Sequence, residues 1–193
     1  MLTREAAYAL LTKYNESEAL VTHAMAVEAV MRYFARQLGE DENYWGVVGL
    51  IHDIDYEKYP EEHCHKSKEI LEAEGVDADI VHAVISHGWN ICIDVEPTRK
   101  MEKVLYATDE LTGLINATVL MRPDKSIMDL EVKSVKKKFK SKGFAAGVNR
   151  EVILTGCGMV DMELDEVIRW SIEGMKEAAE SLGLAGQSAE SSI

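Results

Sequence analysis

Trp45-Gly46-Val47-Val48-Gly49-Leu50-Ile51-His52-Asp53-Ile54-Asp55 is the stretch on which the fold turns. Its nonpolar run from Trp45 to Ile51 leads straight into a histidine and two aspartates. The run is far too short for a bilayer, which needs about 20 apolar residues. On a helix, positions three, four and seven apart share a face. His52 then falls with Trp45 and Val48, and Asp53 with Gly46, Gly49 and Leu50. Ligand-type side chains therefore point the same way as core-forming ones.

Outward from this stretch, apolar residues recur at helical spacing almost throughout, and no segment alternates long enough between turn signals to argue for a sheet. The spacing predicts helices over 3–13, 17–39, 42–54, 61–74, 77–87, 99–120, 127–140, 149–156 and 164–182. Asn15 with Glu18 has capping-box spacing, Pro60 suits a first helical turn, Gly75 ends the helix behind it, and Thr98 and Asn149 fit N-caps. No Pro-rich linker or repeat divides the chain. The expectation is a single all-α domain over 1–184, a compact multi-helix bundle, followed by a flexible polar tail at 185–193.

Composition narrows the function. The 193 residues carry 34 acidic against 21 basic side chains, a net charge of -13, and are 47% hydrophobic. That apolar fraction supports a real core, while the negative surface disfavours general nucleic-acid binding. No membrane span or secretory signal is expected. Cys64, Cys92 and Cys157 are an odd number without a CxxC pair, so neither a disulfide framework nor a zinc ribbon is indicated. A reducing, cytoplasmic compartment is the expectation. All six histidines lie between His23 and His87.

His23 shares its face with Ala19, Leu20, Ala26, Val27 and Val30, and Asp109 with Leu105, Tyr106, Thr112 and Gly113. One histidine on an apolar face is ordinarily satisfied by a core hydrogen bond. Four inward ligand-type residues on three helices, two of them aspartates that are costly to bury alone, describe one convergent site. His63 lies with Ser67 and Ile70 and His87 with Ile80, Ala83 and Val84, so these two also point inward. His65, among Lys68, Glu69 and Glu72, reads as solvated, although it stands as the substitute for His63. His82 lies on a mixed face. Four imidazoles and two carboxylates suit iron, manganese, nickel, cobalt or zinc better than magnesium or calcium. Six donors exceed one tetrahedral ion and suit two neighbouring ions sharing a carboxylate.

His23, the pair His52-Asp53 in Gly49-Leu50-Ile51-His52-Asp53-Ile54-Asp55, and Asp109 in Ala107-Thr108-Asp109-Glu110 resemble the H…HD…D signature of the HD-domain superfamily of metal-dependent phosphohydrolases. The resemblance covers about residues 17 to 120. It implies that His23, His52, Asp53 and Asp109 bind one metal, and that His63 and His87 match the two extra histidines of binuclear members, with Asp53 bridging. Two departures stand out. Asp55 occupies the glycine position of HDIG relatives, and Tyr56 stands where HDxxE members carry glutamate. Neither an HD-ED pair nor a GYP motif is present.

The resemblance implies hydrolysis of a phosphate ester of a small phosphorylated substrate by metal-activated water. Asp53 would orient the ions, and Asp55 or Glu57 would protonate the leaving oxygen. In the second half Lys133, Lys136, Lys137 and Lys140 form a stripe opposite Met128, Val132, Val135 and Phe139. The ordinary reading is a solvated face; the sharper one has Lys137 or Arg150 leaning over the metal site to hold phosphate. Gly143-Phe144-Ala145-Ala146-Gly147 is not a Walker loop, because no Gly-Lys-Ser/Thr follows. Cys64 reads as an inert thiol rather than a soft ligand. Two alternatives remain open: a di-iron oxygenase of the HD type and a non-catalytic ligand-binding module.

Overall fold

In the computed structural model, which describes residues 2–186, the amphipathic segments form α1 Arg4–Tyr14, α2 Glu18–Leu38, α3 Glu42–Ile51, α4 His65–Ala73, α5 Ala78–Ile85, α6 Lys100–Leu120, α7 Val132–Lys140, α8 Arg150–Val160 and α9 Leu164–Glu177. Two 3-10 turns, Pro60–Glu62 and Ser86–Gly88, flank the short helices α4 and α5. Among the described residues there is no strand, only the isolated bridges Trp89–Ile93 and Ser126–Ala185, so the expected all-α class is met. The tail expected over 185–193 lies outside the described residues from 187 onward. No helix among the described residues is long and apolar enough to cross a membrane.

Two helices organise the rest. α2 buries Ala26, Val27, Val30, Met31 and Phe34, spaced three and four apart, and packs on α3, α6 and α9. α6 buries Val104, Leu105, Leu111, Leu114 and Ile115 and lies between α2 and α8. Burying each such aliphatic side chain contributes about 1.5–3 kcal/mol. The approach of α8 to α6 is backbone-close: a Cβ added to Gly156 would stand 2.4 Å from the Ala107 Cα. The first helix is tied to α2 by charge. Arg4 donates twice to the buried Glu28, at 2.7 and 2.9 Å, and Arg32 donates to the same carboxylate at 2.9 Å.

Several helix ends differ from expectation. Asn15 closes α1 instead of opening α2, and its amide donates to the carbonyls of Leu11 and Ile54. Ser17 is the N-cap of α2 without a side-chain bond. Arg99, not Thr98, opens α6, where the Glu102 carboxylate accepts the N–H groups of both. Asn149 caps α8 as expected. The helix expected over 61–74 is broken: after the 3-10 turn the chain passes through Cys64 at φ 66° and only then enters α4.

Candidate metal centre

The two central helices and three turns deliver side chains to one point. α2 presents His23, the end of α3 presents His52 with Asp53 just beyond it, and α6 presents Asp109. His63 follows the first 3-10 turn and His87 sits within the second. The structure brings all six together. Asp109 Oδ1 lies 2.9 Å from His23 Nε2 and 3.2 Å from His52 Nε2. Asp53 divides its oxygens: Oδ2 lies 3.3 Å from His52 Nε2 and 3.9 Å from His23 Nε2, while Oδ1 lies 3.3 Å from His87 Nε2 and 3.5 Å from His63 Nε2.

Hydrogen bonds on the far side of the rings decide what these atoms are. His52 Nδ1 donates to the Gly49 carbonyl at 2.8 Å, His87 Nδ1 to the Val84 carbonyl, and His63 Nδ1 to Asp55 at 2.7 Å. Carbonyl and carboxylate oxygens only accept, so each Nδ1 carries a proton and each neutral ring turns a lone pair inward at Nε2. Those lone pairs face carboxylate oxygens, and His63 Nε2 faces His87 Nε2 at 3.1 Å. Acceptors facing acceptors repel unless a proton or a cation lies between them. The nitrogen and oxygen donors could hold a transition-metal ion, and the Nδ1 contacts are of the kind that orients imidazoles toward a metal.

Imidazoles and carboxylates this close shift one another's titration. Burial alone would lower the pKa of His52, but Asp53 and Asp109 together outweigh it and raise the pKa well above the usual value. Burial likewise opposes the rise at His63, where the Asp55 hydrogen bond and Asp53 prevail. For Asp53 and Asp109 burial pushes upward, yet the neighbouring imidazoles hold both carboxyls below the usual range. Beside the cluster, the thiol of Cys64 hydrogen-bonds Cys92, holding Cys92 at about 6 and pushing Cys64 far above an ordinary thiol.

A cavity of about 330 Å³ opens over His23, Asp53, His63, His87 and Asp109. Its walls include residues that periodicity did not single out: Tyr56, Ile91, Cys92, Glu110 and Gly147. Tyr56 sets its ring against His63 at 5.1 Å. Glu110 directly follows Asp109 and accepts the Asn149 N–H at 3.1 Å. Its adjacency to Asp109 was visible in the sequence, but the loop covering it was not. No lysine or arginine lines this cavity among the described residues.

The remaining expected site residues go elsewhere. Asp55 is buried and fully engaged, accepting from His63 Nδ1 and the Ser67 N–H, so it positions His63 and has no path to a leaving group. Glu57 accepts the N–H groups of Glu16 and Ser17 at 2.8 and 2.9 Å and holds the start of α2. Lys137 lines a separate cavity of about 350 Å³ with Arg122, Ser134 and Lys138. His65 is exposed, and His82 pairs with the buried Glu102 at 2.8 Å. Arg150 donates to the carbonyls of Phe139, Ser141, Phe144, Ala145 and Val148, which closes the loop between α7 and α8 and leaves no N–H group for phosphate.

Arg150→Ala should therefore lower stability by roughly 2 kcal/mol, the scale of lost charge-assisted hydrogen bonds. A thermal melt checks this. An unchanged midpoint with a raised KM would restore the phosphate-binding role.

A family model described as HD domain matches residues 20–137 of the chain. That is more than half of its 193 residues, and the protein belongs to the HD domain family. HD domains bind divalent metals and are typical of metal-dependent phosphohydrolases. No curated protein and no solved structure matches the chain.

Proposed function

We propose that the protein is a divalent-metal-dependent phosphohydrolase acting on a small phosphorylated metabolite, with nucleotides the first class to examine. The observation that carries this reading is the ring of inward Nε2 lone pairs around the divided Asp53 carboxylate. His23, His52, Asp109 and Asp53 Oδ2 would hold one ion, and His63, His87 and Asp53 Oδ1 a second. When bound, such ions act as Lewis acids that activate water and neutralise phosphoryl oxygens.

The chain's own groups supply the rest. The cavity wall carries Asp53, Asp109 and Glu110 and, among the described residues, no lysine or arginine, so binding of a phosphate there depends on metal cations. Asp55 fixes the ring of His63 through Nδ1, and the Gly49 and Val84 carbonyls fix His52 and His87. Glu110 is the carboxyl group beside the cluster that faces the cavity, and it takes the proton-donor place that Asp55 and Glu57 do not reach. Tyr56 and Ile91 offer an aromatic and an apolar wall to the leaving group. We take residues 1–184 as one domain and place the protein in the cytoplasm; the free thiols of Cys64, Cys92 and Cys157 support a reducing compartment.

The test strips the purified protein with a chelator, reloads it with manganese, iron, cobalt, nickel or zinc, and follows phosphate release from nucleotides and sugar phosphates. Release only after reloading is the expected result. Oxygen uptake without phosphate release would favour a di-iron oxygenase, and bound metal without turnover a ligand-binding module.

A further inference from the structure

Two side chains beside the histidine cluster have no part in the hydrolytic reading. Cys64 follows His63 and is fully buried, at φ 66°. That left-handed conformation is strained for a residue with a side chain, and it persists only where the surroundings enforce it. Cys92 sits in the tight turn after the second 3-10 segment, where the N–H groups of Ile91, Cys92 and Ile93 all donate to the Gly88 carbonyl. The two turns bring the thiols against each other. Donor atoms of His63, Cys64 and Cys92 all lie within 4.8 Å of one another.

Gly88 makes this meeting sterically feasible. A Cβ at that position would stand 2.5 Å from Cys64 Sγ and 2.6 Å from Cys92 Sγ, so any larger residue would drive the sulfurs out of place. Access is unequal. Cys64 has no exposed surface, whereas Cys92 is half-buried and lines both the metal-site cavity and a second cavity of about 490 Å³ on the side of His65. Cys157 is buried in α8, apart from both cavities.

We propose that Cys64 and Cys92 form a peroxide-oxidisable dithiol site that closes to an intrachain disulfide. Hydrogen peroxide or an organic hydroperoxide is the oxidant. The Cys92 sulfur attacks the peroxide oxygen, the O–O bond breaks, and Cys92 becomes a sulfenic acid with release of water or alcohol. The Cys64 sulfur then attacks the Cys92 sulfur, the S–O bond breaks, and the hydroxyl leaves with the Cys64 proton as water. The two sulfurs surrender two electrons to the peroxide and join at about 2.05 Å. Side-chain rotation within the turns has to supply the approach. The bond would tie the turn carrying His63 to the turn following His87.

Thiol oxidation here uses no property of the hydrolytic reaction, and its test needs no substrate. The purified full-length protein is treated with hydrogen peroxide, its free thiols are counted, and a non-reducing digest is mapped by mass spectrometry. The expected result is a fall from three free thiols to one, a peptide joining Cys64 to Cys92, and return to three with dithiothreitol. In Cys64→Ser, Cys92 should instead proceed to sulfinic acid. Should that variant not fold, the peptide map of the unaltered chain decides alone. Persistence of three thiols, over-oxidation of Cys92 in the unaltered chain with Cys64 still alkylatable, or a bridge to Cys157 would each overturn the proposal.

Discussion

Asp53→Asn is expected to abolish stable metal binding and lower phosphohydrolase turnover by about 10³ or more, equivalent to about 4 kcal/mol of lost transition-state stabilisation. The size follows from the position of one carboxylate. Oδ2 faces His23 and His52, and Oδ1 faces His63 and His87, so both halves of the cluster draw on the same charge. The amide keeps the shape but removes the anion and turns a donor toward lone pairs fixed by Gly49, Val84 and Asp55. Elemental analysis and a turnover assay, run beside a far-UV spectrum that shows the helices intact, check the result. Metal content and turnover like those of the unaltered protein would remove Asp53 from the centre.

Gly156→Ala is expected to destabilise the protein by about 3 kcal/mol and lower its melting temperature by roughly 10 °C, through overpacking at a backbone contact. The added methyl would lie 2.4 Å from the Ala107 Cα, 2.6 Å from its Cβ and 2.8 Å from its N. Backbone cannot turn aside as a flexible side chain can, so α8 has to move off α6. α6 carries Asp109 two residues beyond Ala107, and turnover should fall together with the melting temperature. A melting temperature within a degree or two of the unaltered protein would show that this interface yields easily.

These two sites illustrate what could be read in advance. His23, His52, Asp53 and Asp109 were legible because helical periodicity alone sets them on apolar faces, and α2, α3 and α6 fall close to their expected bounds. Spacing points His63 in the right direction but on the wrong support: it implies a continuous helix, whereas His63 precedes the reversal at Cys64 and is steered by Asp55. No local pattern announces that Asp55 will be consumed by His63 and Ser67, or that Arg150 will meet the Phe139 carbonyl of α7 and four carbonyls of the loop after it. Both depend on how turns fold back, a long-range property that spacing does not encode. The hold of Arg4 on the buried Glu28 was hidden for the same reason, whereas the Glu28–Arg32 pair has ordinary i,i+4 helical spacing. The lysine stripe was legible as a stripe, but which cavity Lys137 would line was not.

As proposed, the histidine and aspartate cluster is a metal centre built for two ions. Its most direct test is elemental analysis of the purified full-length protein after reloading and removal of excess metal. Two divalent transition-metal ions per chain are expected, both lost in Asp53→Asn. One ion per chain, or no more metal than that variant retains, would contradict a two-ion centre.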